Sequence, residues 1–371
     1  MELQKKINEL LELDPYNLPE KKKKQKLLDI LLHQLDYHLN NCEPYKLWYK
    51  RNNFKGLDQI TSIEEIPFVP SSVFKHLDLR TGQTKSKKVQ SSGTTSKYKS
   101  KIFLDSQTSK NQVLALSKIL SSNIGKKRKT FFICDVEPGF QSKTDISLSA
   151  RFAGMSGYLL AAKNRYYLLK YDEKGNVIFN DDSIKILKLS QDEEVVLIGY
   201  TYMIWEHFIN NSISKFKLNL NEKTKLIHFG GWKKLANKQI DKSHFLQQLN
   251  IELGIQSNCV FDIYGFTEQL GTVYTSQGNS GSLVSTYSDV LVRDTSTFEV
   301  LDEGEEGFLQ FISILPTSYP GFSILNDDLG YIKKRNISEK NLETKEFVVL
   351  SRLEKADARG CGDTLPENFY I

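Results

Sequence analysis

The chain has 371 residues, 39% hydrophobic and 11% aromatic, which is enough to bury a full core and too apolar for a disordered polymer. Lys and Arg number 50 against 45 Asp and Glu, a net charge of +5 spread along the chain, and no nucleic-acid motif accompanies it, so no nucleic-acid partner is expected. No apolar run approaches the ~18 residues of a membrane-spanning helix, and Met1 to Lys6 leads into no apolar signal core, so the expectation is a cytoplasmic protein without a membrane span.

Residues 1 to about 50 read as helical, because Leu27, Leu28, Ile30, Leu31, Leu32 and Leu35 form a broad apolar stripe that packs onto the main body. Lys21 to Lys24, the one dense charge run, reads as a solvated helix face or loop. His33 and His38 lie on or near the stripe and read as packed or capping residues rather than ligands. Ile66 to Lys75 places two prolines around an apolar pair, with a serine set to cap a short helix.

Gln90 to Lys99 is the stretch around which the rest is arranged. From Ser91 to Ser96 it bears no large side chain, so its backbone can approach a ligand closely. Backbone N–H groups, hydroxyls and a following ammonium suit a polyanion such as a triphosphate. It is not a Gly-x-x-x-x-Gly-Lys-Ser/Thr loop, and its composition also fits an ordinary surface turn.

Lys101 to Leu104 then reads as a short strand, and Asp105 or Ser106 caps a helix running to about Leu120. Thr130 to Asp135 and Glu194 to Tyr200 read as buried strands, with Thr201 to Ile209 helical after the second. A strand at Lys225 to Phe229 ends in Gly230-Gly231, and a helix reaching about Leu253 is interrupted near Asp241-Lys242-Ser243. Val260 to Glu268 repeats the scheme of strand, glycine and polar end. Strands alternating with helices argue a largely parallel sheet, in which ligands gather beyond the carboxyl ends of the strands. From about residue 285 the texture turns to β, with strands at Asp289–Asp294, Gly307–Ile312 and Phe347–Leu350. The expected division is a helical segment 1–50, an α/β nucleotide-binding core 51–284 and a β-rich part 285–371. Cys42, Cys134, Cys259 and Cys361 are far apart, with no Cys-x-x-Cys pair; Cys134 and Cys259 read as core residues.

Ser91-Ser92-Gly93-Thr94-Thr95, Tyr264-Gly265-Phe266-Thr267-Glu268, Asp328-Leu329-Gly330 and Arg352 occur in the order and rough spacing of adenylate-forming enzymes. Ile66 to Lys75, His228 to Lys234 and Arg359-Gly360-Cys361 resemble one subgroup, the acyl-protein synthetases (LuxE-type) of the bacterial fatty-acid reductase system. The resemblance covers nearly the whole chain. It implies the large-domain architecture of that superfamily, with mixed, largely parallel sheets flanked by helices and a small C-terminal β region, and without the mobile C-terminal subdomain.

It also implies roles. Ser91, Ser92, Gly93, Thr94 and Thr95 would hold the phosphates of ATP, and Lys99 falls at the superfamily's loop lysine. Tyr264 would stack on adenine, with Gly265, Gly230 and Gly231 at the nucleotide pocket. Thr267 would contact the α-phosphate, Glu268 would help hold Mg²⁺, Asp328 would accept from the ribose hydroxyls, and Arg352 would reach the ribose or phosphates. The usual Thr-Gly-x-Pro-Lys continuation is replaced by Thr95-Ser96-Lys97-Tyr98-Lys99. Cys361, flanked by glycines beside Arg359, would be the thiol that takes the acyl group and passes it to a reductase or carrier protein. Ile198 to Trp205 is either a wall of the acyl tunnel or plain core. The substrate is a fatty acid or another carboxylate. A ligase using coenzyme A or a carrier protein, and a non-catalytic nucleotide-binding scaffold, stay open, as does a homo-oligomer.

Overall fold

The computed structural model describes residues 2–91, 99–139, 154–230, 240–333 and 344–352. The chain starts with helices α1 (Glu2–Glu12), α2 (Glu20–Asn41) and α3 (Glu43–Arg51), strand β1 (Val69–Pro70) and a single helical turn, α4 (Val73–His76). Strands β2 (Lys87–Gln90) and β3 (Lys101–Leu104) precede helix α5 (Ser106–Ile124). Next come β4 (Lys129–Val136), α6 (residues 154–159), β5 (Ala162–Tyr171), β6 (Val177–Phe179), α7 (Asp181–Leu189), β7 (Val196–Tyr200) and α8 (Thr201–Ile204). The order continues with β8 (Lys225–Phe229), α9 (Lys242–Leu253), β9 (Val260–Tyr264), β10 (Tyr274–Gln277), β11 (Ser282–Leu283), β12 (Ser288–Arg293), β13 (Gly307–Ser313), β14 (Ser323–Ile332) and β15 (Glu346–Arg352).

This is an α/β fold with mixed, largely parallel strands flanked by helices, and it falls into two units. Unit 1 comprises Met1–Lys118, Gly265–Tyr274 and Leu283–Ile371; unit 2 comprises Ile119–Tyr264 and Thr275–Ser282.

In unit 2, β5, β4, β7, β8 and β9 lie side by side and parallel, with β6 antiparallel on the outer edge of β5. Parallel strands are covered on both faces, so they read as unbroken apolar runs rather than alternating ones. Phe131, Phe132, Ile133 and Cys134 on β4, and Val196, Leu197 and Ile198 on β7, are all buried accordingly. Phe132, Leu197, Ile204, Phe208, Phe245 and Leu249 meet in one core cluster beneath α8 and α9. Asp241 caps α9 by accepting the His244 N–H at 2.7 Å, which is the local reason that helix starts where it does.

Unit 1 holds the β-rich end of the chain. Strands β12, β13, β14 and β15 are antiparallel neighbours, and β1 adds to β14 in parallel with Val69 opposite Ile324. The first three helices pack here: the buried Gln34 amide donates to the carbonyls of Ile314 at 3.0 Å and Pro316 at 2.9 Å. His38 is fully buried, its Nδ1 is 2.7 Å from the Thr81 hydroxyl, and its ring is stacked on Phe322. The lysine run departs in part from the expected solvated face. Lys21 and Lys22 are exposed, but Lys23 is buried and Lys24 pairs with Glu64 at 2.8 Å. Lys23 attracts Asp289, whose carboxylate is paired with Lys345 at 2.7 Å in the interior.

Candidate active site

Within unit 1, β2 and β3 form an antiparallel ribbon with Gln90 opposite Lys101. The chain leaves and re-enters it through Ser91 and Ser100. The Ser91 N–H donates to the Ser100 carbonyl at 3.0 Å, and the Ser100 N–H donates to the Ser91 hydroxyl at 3.1 Å. Residues 92–98, which carry the expected phosphate contacts of Ser92, Gly93, Thr94 and Thr95, lie outside the described residues. Lys99 sits exposed at the mouth of the ribbon, beside Lys101, which is paired with Asp78 at 2.6 Å.

Strand β3 lies against the 3-10 turn Thr267–Gln269. Two further tethers fix that neighbourhood. The Ser318 hydroxyl donates to the Phe103 carbonyl at 2.7 Å, and the Gln269 amide donates to the carbonyls of Phe311 at 2.9 Å and Gly321 at 2.8 Å. Glu268 is 8% exposed, Thr267 half-buried and Gly265 exposed. A Cβ built on Gly265 would meet nothing closer than 3.6 Å, so internal packing does not demand glycine there. Burial pushes the Tyr319 phenol well up, and the neighbouring Glu268 pushes it the same way.

Asp328 lies on β14 in register with Arg352 on β15. Asp328 is 7% exposed, and its Oδ2 accepts from the Asn326 amide at 3.0 Å. A bulge follows between Leu329 and Gly330, where an added Cβ would sit 2.1 Å from the Val348 carbonyl. The glycine of Asp328-Leu329-Gly330 is therefore needed by the strand itself.

Unit 2 carries the other residues expected at a nucleotide site. Tyr264 is the half-buried last residue of β9. Gly230 follows β8 with φ +88°, a conformation open mainly to glycine. Gly231 lies outside the described residues, as does Cys361. Ile198 to Trp205 is mostly core: Ile198, Met203 and Ile204 are buried, leaving Tyr200 and Tyr202 partly exposed.

A family model described as acyl-protein synthetase, LuxE, matches residues 3–370. The chain belongs to that family. The long-chain-fatty-acid–luciferin-component ligase of Aliivibrio fischeri is 24% identical over 313 residues, covering 80% of this chain and 77% of the relative. The ligase of the same name from Vibrio harveyi is 24% identical over 145 residues, covering 39% and 37%. Among solved structures, 2-hydroxyisobutyryl-CoA ligase in an open conformation superposes with TM-score 0.65 at 15% identity, covering 92% of this chain and 77% of that one. A postadenylation state of the same enzyme gives TM-score 0.63. These structural likenesses bear out the adenylate-forming architecture expected for an acyl-protein synthetase.

No group of three or more His, Cys, Asp or Glu side chains among the described residues could hold a metal ion by itself. A lone carboxylate such as Glu268 fits a hydrated Mg²⁺ bound mainly by phosphate oxygens, so the residues present are compatible with that ion and with no all-protein cage. Among the described residues, no helix is long and apolar enough to cross a membrane. Sequence reasoning missed a polar cluster beneath the β8 glycine. His228 Nδ1 is 2.9 Å from the Thr201 hydroxyl and 3.6 Å from Asp262, and Lys242 donates to Ser276 at 2.8 Å nearby. Burial, reinforced by Lys242 and opposed by Asp262, pushes the His228 imidazole below its usual range. The available signal was three polar side chains at or near the ends of otherwise apolar strands.

Proposed function

We propose that this acyl-protein synthetase activates a fatty acid with ATP and holds the acyl group as a thioester on Cys361 for delivery to a partner protein. The observation that carries the reading is in unit 1. Strand β3, which leads from the serine-rich loop, abuts the Thr267–Gln269 turn, and Asp328 stands in register with Arg352 on the strands of the same unit. Family membership supports protein acylation, and the names of the two bacterial relatives support a long-chain acid.

In this mechanism an oxygen of the acid's carboxylate attacks the α-phosphorus of ATP, the bond to the bridging oxygen breaks, and pyrophosphate leaves. Two anions must approach, so fixed donors and positive charge dominate the catalysis. The backbone and hydroxyls of Ser91 to Thr95 hold the outer phosphates, with Lys99 at the rim. Thr267 donates to the α-phosphate. Asp328 accepts from the ribose hydroxyls and Arg352 reaches the ribose or phosphates, while Tyr264 stacks on adenine and Gly265, Gly230 and Gly231 leave room for the nucleotide. Glu268 would hold Mg²⁺, which when bound offsets the phosphate charge. The Cys361 thiolate then attacks the acyl carbonyl carbon, and AMP departs as the thioester forms.

The test is incubation with labelled long-chain fatty acid and ATP. Hydroxylamine-labile label should appear on the wild type and not on Cys361→Ala, while acid-dependent pyrophosphate release persists in both. Label retained by Cys361→Ala would remove the thiol from the mechanism. Acid-dependent product made only with coenzyme A would assign the acceptor to that thiol instead.

A further inference from the structure

We propose that Tyr200, Thr201 and His228 form a clamp that sets the Gly230 turn, and so act as positioning residues for ATP in the adenylation step. This rests on the reading of Gly230 as part of the nucleotide pocket. Strands β7 and β8 run parallel with Gly199 opposite His228 and Tyr200 opposite Phe229. The residues that leave β7 therefore emerge beside the residues that leave β8.

The two consecutive residues hold the glycine in different ways. A Cβ on Gly230 would stand 2.6 Å from Cδ1 of Tyr200, so the phenol ring occupies the space any side chain would need. The same ring packs edge-on against Phe229 at 4.7 Å, and Phe229 stacks on Tyr158 at 5.2 Å. The Thr201 hydroxyl lies 3.3 Å from the Gly230 carbonyl, 3.4 Å from the Phe229 carbonyl and 2.9 Å from His228 Nδ1. A hydroxyl carries one proton. If it donates to the turn carbonyls, it must accept from an Nδ1–H of His228. Burial favours the neutral ring, which fits this tautomer.

The trio superficially resembles a hydroxyl–imidazole–carboxylate triad, since Asp262 is 3.6 Å from the ring. A triad needs the hydroxyl and the carboxylate on opposite ring nitrogens. Here both approach Nδ1, and Thr201 is 1% exposed, so attack on a substrate is not what this arrangement serves. Its output is the direction of one glycine turn.

The test compares Thr201→Val with the wild type in acid-dependent pyrophosphate release. KM for ATP should rise roughly five- to tenfold, the worth of one buried hydrogen bond, while kcat and KM for the fatty acid stay within about twofold. Thr201→Ser, which returns the hydroxyl, should restore KM. Should Thr201→Val fold poorly, Thr201→Ala against Thr201→Ser isolates the same oxygen. An unchanged KM for ATP in Thr201→Val, or equal loss in Thr201→Ala and Thr201→Ser, overturns the clamp alone. A wild-type chain that releases no pyrophosphate overturns the adenylation reading and the clamp's role with it.

Discussion

Replacing Asp328 with asparagine separates nucleotide recognition from strand stability. Asp328 is 7% exposed, lies in register with Arg352 across β14 and β15, and its carboxylate accepts from Asn326 at 3.0 Å. Asp328→Asn keeps the shape of the side chain but removes its charge and turns one acceptor oxygen into a donor. The remaining amide oxygen can still accept from Asn326, so stability should move by no more than about 1 kcal/mol. On the proposed role of Asp328, one charge-assisted hydrogen bond to a ribose hydroxyl would be lost. Such a bond contributes ~1.5–3 kcal/mol, so KM for ATP should rise roughly 10- to 150-fold. Initial rates of acid-dependent pyrophosphate release across an ATP series give the first number, and urea midpoints give the second. If KM for ATP stays at the wild-type value while the midpoint holds, Asp328 does not touch the ribose.

Glu268→Gln should lower kcat by roughly 10²–10³-fold, as for loss of a group that stabilises transition-state charge, with partial recovery at high Mg²⁺; undiminished turnover across the magnesium series would remove it from the site. His38 is held neutral by burial, its pKa pushed down to about 3, so the unfolded chain binds the extra proton below the ordinary imidazole range. Its neutral-form stability is present above pH ~6.5 and is lost as the pH falls toward 3, at up to ~1.4 kcal/mol per unit. His38→Asn, which can still reach the Thr81 hydroxyl, should flatten that part of the stability–pH curve, and an unchanged slope would refute the assignment. Lys345 lies 2.7 Å from Asp289 with both largely buried. Burial alone would raise the Asp289 carboxyl, but Lys345 and Lys23 hold it down at about 2. Lys345→Met should therefore cost ~3–5 kcal/mol in denaturant unfolding, and adding Asp289→Asn should recover part of it; a loss under 1 kcal/mol would mean that the pair is not desolvated.

The parallel strands of unit 2 were legible because burial on both faces leaves unbroken apolar runs: Thr130 to Asp135 falls on β4, and Glu194 to Tyr200 contains β7, which starts two residues later at Val196. Strand β5 was not, since its run Ala162 to Tyr171 carries Lys163, Arg165 and Lys170 on a strand that is only partly buried. Cys134 and Cys259 are core residues, as their apolar neighbours implied. The buried state of Lys23 could not be read locally, because its attraction comes from Asp289, far along the chain. The motif Asp328-Leu329-Gly330 was legible as a pattern, but the reason for its glycine is a bulge against Val348, which only pairing with β15 creates. Thr201, His228 and Asp262 escaped for the same reason: each is unremarkable in sequence, and they become a cluster only when β7, β8 and β9 align.

Thr95 to Lys99 is the stretch that departs from the wider superfamily's usual continuation, and the ribbon on either side of it holds its ends. Proline within a loop limits its conformations; fixing the loop's ends reduces the same freedom from outside. Here the two ends are fixed by a reciprocal pair of bonds between Ser91 and Ser100, at 3.0 and 3.1 Å. In the second of these the Ser91 oxygen is the acceptor, and its own proton is not used in that bond. The hydroxyl can thus close the ribbon with a lone pair and still donate toward an anion held between the strands. The strand that receives the chain after the loop, β3, is itself tied by the Ser318 hydroxyl and lies against the Thr267–Gln269 turn. Both ends of the loop and the strand that follows it are thus held by bonds that lie outside the loop.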